Sequence, residues 1–163
     1  MPLTALFEYF TAEKQSAWVL LFLGTASFCT AWLLWAGRSA FLAMCWPVVA
    51  LGILELAIGV SVALKAPGQL ASVEQGLKAE PTRTASAETA RVATVIKNFR
   101  VFKTIEILVI LASLALISVF PLASAAFAVG LGLLIQSTAL LVFDSFAQQR
   151  ASVYARWLSG FIA

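Results

Sequence analysis

One carboxylate stands in the apolar run ALGILELAIGV, residues 50–60: Glu55, between Leu54 and Leu56. Ten residues separate it from Lys65, which corresponds to about 15 Å of helix. At that depth in a bilayer an ionisable side chain costs about 2.5–3.5 kcal/mol and marks either a function or a satisfied partner. Thr25, Ser113 and Gln136 fall at matching depth in the other apolar stretches. Four such groups converging inside a helical bundle could fix helix register, carry a proton or cation, or receive a partner's helix. As a hydrogen-bonded layer, Glu55 is expected to donate to Gln136. Gly52 and Gly59 share the Glu55 stripe, and Ala128 and Gly132 share that of Gln136. Both stripes are therefore expected to face protein. Glu13, Glu106, Asp144 and Arg150 lie nearer the charged ends and are expected to form interfacial charge pairs, with Lys103 and Arg100 within reach.

Other chemistry is excluded by composition. The chain has no histidine, which removes ordinary haem ligation and most transition-metal sites. Cys29 and Cys45 are single residues in separate apolar stretches, without the paired cysteines that an electron relay needs. No glycine-rich phosphate loop follows a strand, and no Ser/His/Asp set can be built. The expectation is therefore a non-enzyme with no metal and no cofactor. Arg91, Lys97, Arg100 and Lys103 flank an apolar helical stripe and are expected to face lipid or a partner. Four basic residues beside a membrane helix do not call for nucleic acid, and none is expected.

Positioning these residues takes an all-α, polytopic membrane architecture. The chain is 61% hydrophobic and 12% charged. Soluble domains carry about a quarter charged residues. Four stretches, residues 17–36, 40–64, 104–120 and 122–143, are each long enough to cross a hydrocarbon core of about 30 Å. Phe120-Pro121 divides the last two. Before the first stretch stands a single basic residue, Lys14, beside Glu8 and Glu13, and the stretch is expected to remain as a span and not act as a cleaved signal. Residues 1–14 and 145–161 pattern as interfacial helices and 91–103 as a basic amphipathic segment before the third span. Residues 66–90 read as a flexible cytoplasmic loop. With four spans, ten of the eleven basic residues lie on one side and only Arg38 on the other. This bias predicts an antiparallel four-helix bundle with both termini cytoplasmic.

Small multidrug-resistance transporters also combine four helices with one critical glutamate. There the glutamate is in the first helix, the chain is shorter and the long central loop is missing, so their function does not transfer. EYFTAEK at 8–14 and GLGLLIQSTALLVFDSFAQQR at 130–150 are similar to a group of small four-helix bacterial membrane proteins. The resemblance implies a bacterial inner-membrane location and draws attention to Glu13, Lys14, Gln136, Asp144 and Arg150; it implies no mechanism. The expected partners are the lipid bilayer and either a membrane protein or further copies of this chain. The expected role is protein–protein interaction, as an accessory subunit or an immunity or regulatory protein. The alternative is a small homo-oligomeric transporter or channel using Glu55.

Overall fold

Three breaks interrupt the apolar runs, at Gly37-Arg38-Ser39, Glu80-Pro81 and Phe120-Pro121, and between them the chain is almost entirely helical. A computed structural model describes residues 3–162. Its elements are α1 (Thr4–Ala36), a 3-10 turn (Leu42–Met44), α2 (Cys45–Ala79), α3 (Pro81–Val119) and α4 (Ala125–Ser159). Among the described residues there is no strand. All four helices are long and apolar enough to cross a membrane, consistent with a multi-pass membrane protein.

The breaks have local causes. Proline at position 121 cannot continue α3, and Phe120 before it turns extended. Ser124 then caps α4, its Oγ accepting from the Phe127 N–H at 3.1 Å. Pro81 opens α3 at a position where its missing N–H costs nothing. Glu80, the single residue between α2 and α3, donates its N–H to the Gly76 carbonyl at 2.8 Å. Thr84 packs so closely on Gly76 that an added Cβ there would lie 2.7 Å from its Oγ1.

Several expected boundaries differ. Residues 66–90, expected as a flexible loop, are helical apart from Glu80. The segments expected as separate helices at 1–14, 91–103 and 145–161 are continuous with α1, α3 and α4, the first described from residue 3. Their inner faces pack on one another: Leu6, Phe10, Val73, Leu77, Val92, Tyr154 and Leu158 form one apolar core. The shortest helix has 33 residues and the longest 39 residues. Their lengths are therefore about 50–60 Å, far more than a hydrocarbon core requires.

Contacts run α1 along α2 and α3 along α4, two antiparallel hairpins, with α4 closing on α1 and α2. The buried positions follow a repeat of three and four residues: Leu6, Phe10, Ala17, Leu20, Gly24, Ser27 and Ala31 on α1. On α4, Ser137, Asp144, Ala151 and Leu158 recur every seven residues. This is a coiled-coil seam, unbroken across the expected span boundaries. Its content changes along the axis. Toward the charged ends it holds aromatic and aliphatic side chains, while through the apolar stretches it holds Gly24, Ser27, Gly52, Glu55, Gly59, Ser113, Gly130, Gly132 and Gln136.

Candidate functional site

Glu55 is 1% exposed, on the face of α2 that meets α1 and α4. Glycines make that approach possible. A Cβ on Gly52 would lie 2.8 Å from Ser27 Cβ, and one on Gly24 would lie 2.9 Å from the Gly52 carbonyl oxygen. Gly59 faces Leu21 and the Ala17 carbonyl, Gly132 faces Met44 and Pro47, and Ala128 is fully buried. Each small residue singled out in the sequence thus lies at a helix contact. Gly24 and Gly130, the latter against Ser113 O and Leu116, were not singled out and do the same.

The polar layer has three members, drawn from three helices, and one of them is not among the four expected. The Gln136 amide donates to Ser27 Oγ at 2.7 Å, and Ser27 Oγ lies 3.4 Å from Glu55 Oε2. Ser27 therefore stands between Glu55 and Gln136, and links α1, α2 and α4 in one triangle. Its single proton is drawn to the nearer Leu23 carbonyl, at 2.9 Å. Its oxygen is thus left to accept from Gln136, and a proton on Glu55 would complete the set. Glu55 Oε1 is buried with no protein partner.

Thr25 takes no part. Its side chain is on the exposed side of α1 and its hydroxyl donates to the Leu21 carbonyl at 2.7 Å. Two residues correspond to about 200° around a helix, so Thr25 and Ser27 look in opposite directions. Ser113 is fully buried, but its hydroxyl is spent on the Val109 carbonyl at 2.6 Å. It contributes small size against Gly130, not a bond to the layer.

The chain matches no family model, no curated protein and no solved structure. What the molecule does must be read from its geometry.

The expected interfacial charge pairs do not form. The three ion pairs among the described residues are Lys78–Glu74, Arg83–Glu80 and Arg91–Glu88, all within one helix. Glu106 and Asp144 are both buried and face each other across α3 and α4. Among the described residues neither carboxyl belongs to an ion pair, and Glu106 Oε2 is buried with no hydrogen-bond partner in the protein. Arg150 donates instead to Ser16 Oγ, tying α4 to α1.

Glu13 belongs to a cluster the sequence reading missed. Arg91 turns inward and grips Glu88 with two hydrogen bonds, at 2.8 and 2.7 Å. Tyr154 Oη donates to Glu88 Oε1 at 3.3 Å, and the Tyr9 ring stacks on Tyr154 with centroids 4.2 Å apart. Burial disfavours the charged forms of Tyr9, Tyr154 and Glu13. It pushes the Tyr9 phenol up to about 12 and the Tyr154 phenol higher still, and it also raises the Glu13 carboxyl. The Glu88 hydrogen bonds push the Arg91 guanidinium upward, holding it charged. Of the expected lipid- or partner-facing basic set, Lys97 and Arg100 are exposed, while Lys103 and Arg91 are half-buried, Arg91 being engaged by Glu88. The missed signal was spacing: Glu88 lies on the seam of Ala85 and Val92.

Among the described residues no group of three His, Cys, Asp or Glu side chains is arranged to hold a metal ion.

Proposed function

We propose that this chain is a non-enzymatic integral membrane protein that works by binding another protein within the bilayer or at its cytoplasmic face. It resides in a bacterial inner membrane with both termini cytoplasmic, as an accessory subunit or as an immunity or regulatory protein. The observation that carries this reading is where the polar groups are spent. Ser27, Glu55 and Gln136 are consumed in holding α1, α2 and α4 together, under glycine contacts that bring the backbones close. What remains available is outer surface. Only 6% of the most apolar stretch of α3 is buried, with Ile105, Leu108, Leu111 and Leu114 turned outward. The exposed Lys97 and Arg100 adjoin that surface. The inner seam of small and polar residues also supports membrane embedding, because helices in lipid associate through close packing and hydrogen bonds and not through apolar burial.

The test is extraction of the tagged chain from its native membrane in mild detergent, followed by native mass and protein identification. A stoichiometric foreign protein is the expected result, lost when Lys97 and Arg100 are reversed in charge. Extraction of monomer alone would refute the reading.

The unpartnered Oε1 of Glu55 favours one second reading, a homo-oligomeric proton- or cation-coupled transporter or channel. Its mark would be a homo-oligomer whose liposome flux is abolished by Glu55→Gln. Unaltered flux in that variant eliminates it.

A further inference from the structure

Between α1 and α4, on the side of the Ser27–Gln136 contact nearer the charged ends, a groove of about 850 Å³ opens to the outside. Its walls are apolar along Val19, Leu23 and Ile135, and it ends in Gln15, Ser16 and Arg150. Arg150 is the single charged residue of the lining, and forms no ion pair among the described residues. Its guanidinium is oriented by its bond to Ser16 Oγ, which leaves most of its five N–H donors free.

Depth identifies what such a groove would hold. Arg150 comes seven residues after Phe143, the end of the apolar stretch, or about 10 Å along the helix. The side chain reaches back along α4 to Ser16, one residue outside the first apolar stretch, which sets the guanidinium within the headgroup layer of about 5–8 Å, level with lipid phosphates. The apolar walls run from there toward mid-membrane, alongside acyl chains. The volume falls within the range of small-molecule sites, about 300–1,000 Å³. A helix about 10–12 Å across would need more over the same length.

We propose that this groove binds one phospholipid with an anionic headgroup, its phosphate on Arg150 and Gln15 and one acyl chain between α1 and α4. A guanidinium fork matches two phosphate oxygens, which a lysine on the outer surface does not. The bound lipid fills the gap between the two hairpins on this side and joins them. This inference rests on the membrane reading but not on any protein partner.

The experiment is native mass of the full chain after equilibration with vesicles of equal parts phosphatidylcholine and phosphatidylglycerol. Wild type is expected to retain one phosphatidylglycerol per chain. Arg150→Gln should lower that retention about tenfold, as loss of a charged hydrogen bond does. Thr138→Phe changes an exposed groove residue without touching the helix seam, and should lower retention of either lipid. Equal retention of the two lipids by wild type would overturn the proposal, as would undiminished phosphatidylglycerol in both variants or a polypeptide cross-linked into the groove. A chain that does not enter vesicles at all would overturn the membrane reading itself.

Discussion

Ser27 outranks Thr25 in the polar layer although both are small hydroxyl residues two positions apart. The difference is angular, and substitution should expose it. Ser27→Ala removes the acceptor of the Gln136 amide. The expected cost is about 0.6 to about 1.7 kcal/mol, the range of interhelical hydrogen bonds in membranes. Thr25→Ala removes only a bond to the helix's own backbone and should be near neutral. Reversible unfolding in mixed micelles measures both, and equal costs would deny Ser27 its bridging place. Tyr9 supports a prediction with a definite sign. Its phenol is neutral more stably in the fold, about 12, than in the unfolded chain near 10.0. The stabilisation is therefore whole below about pH 10 and drains away as pH rises toward about 12. Tyr154 adds in the same direction. A Tyr9→Phe chain should lose stability less steeply over that interval, and an unchanged slope would refute the assignment. The sequence made Glu55, Gln136 and the glycine stripes visible because depth and small size are read directly from residue type. It concealed Ser27 because depth was used without rotation, and concealed the Glu88–Arg91–Tyr154 cluster because Glu88 fell in the stretch read as a loop and Tyr154 reaches it from another helix.

The stretch 66–90 teaches a different lesson. Its Ala, Ser, Thr, Gly and Pro content resembles a loop, yet Leu70, Val73 and Leu77, then Ala85 and Val92, continue the seam at helical spacing. Glu74 and Lys78 pair one turn apart, a contact that supports a helix. Pro67 sits on the exposed side of α2, where a missing backbone donor can be tolerated. Alanine-rich sequence is poor in apolar signal but is the best helix former, so packing against a neighbour completes what composition left ambiguous. Amide hydrogen exchange should therefore find residues 70–79 and 84–92 protected nearly as well as the apolar spans, with Thr82 and Arg83, whose N–H groups open α3 without a helical acceptor, exchanging first. Rapid exchange throughout 66–90 would restore the loop. The 120–124 break needed no such completion, because proline and a serine cap dictate it locally.

Taken together, the four helices combine two ways of holding a bundle. Where the sequence is charged at its margins, the interior is Leu, Phe, Tyr and Val, the arrangement water enforces. Where the sequence is apolar, the interior is glycine, serine and carboxamide, and the large side chains look outward, including Phe22 at 72% and Trp46 at 81% exposure. Helices of this length accommodate both halves end to end. Placed across a membrane, such a molecule would be asymmetric, with the Glu80 turn about 20–30 Å from the hydrocarbon and the Arg38 turn close to it. Single cysteines in place of Glu80 and Arg38, on a background lacking Cys29 and Cys45, should react with impermeant thiol reagent from opposite sides. Labelling of both from one side would refute the antiparallel crossing. The all-helical class followed from composition, whereas the length of the helices beyond the apolar runs followed only from the seam.

The Ser27–Glu55–Gln136 triangle also imposes an order in time. Ser27 and Glu55 belong to the first hairpin, and Gln136 follows Ser27 by 109 residues. At about 5–20 residues per second of synthesis, the amide arrives roughly 5–20 s after the hydroxyl. Throughout that interval the nascent first hairpin carries its carboxyl on an open flank, with Ser27 as its sole companion from the layer. Closure of the layer by α4 is thus the last step in its assembly, and a chain interrupted before residue 136 would leave the Ser27–Glu55 contact without its third helix.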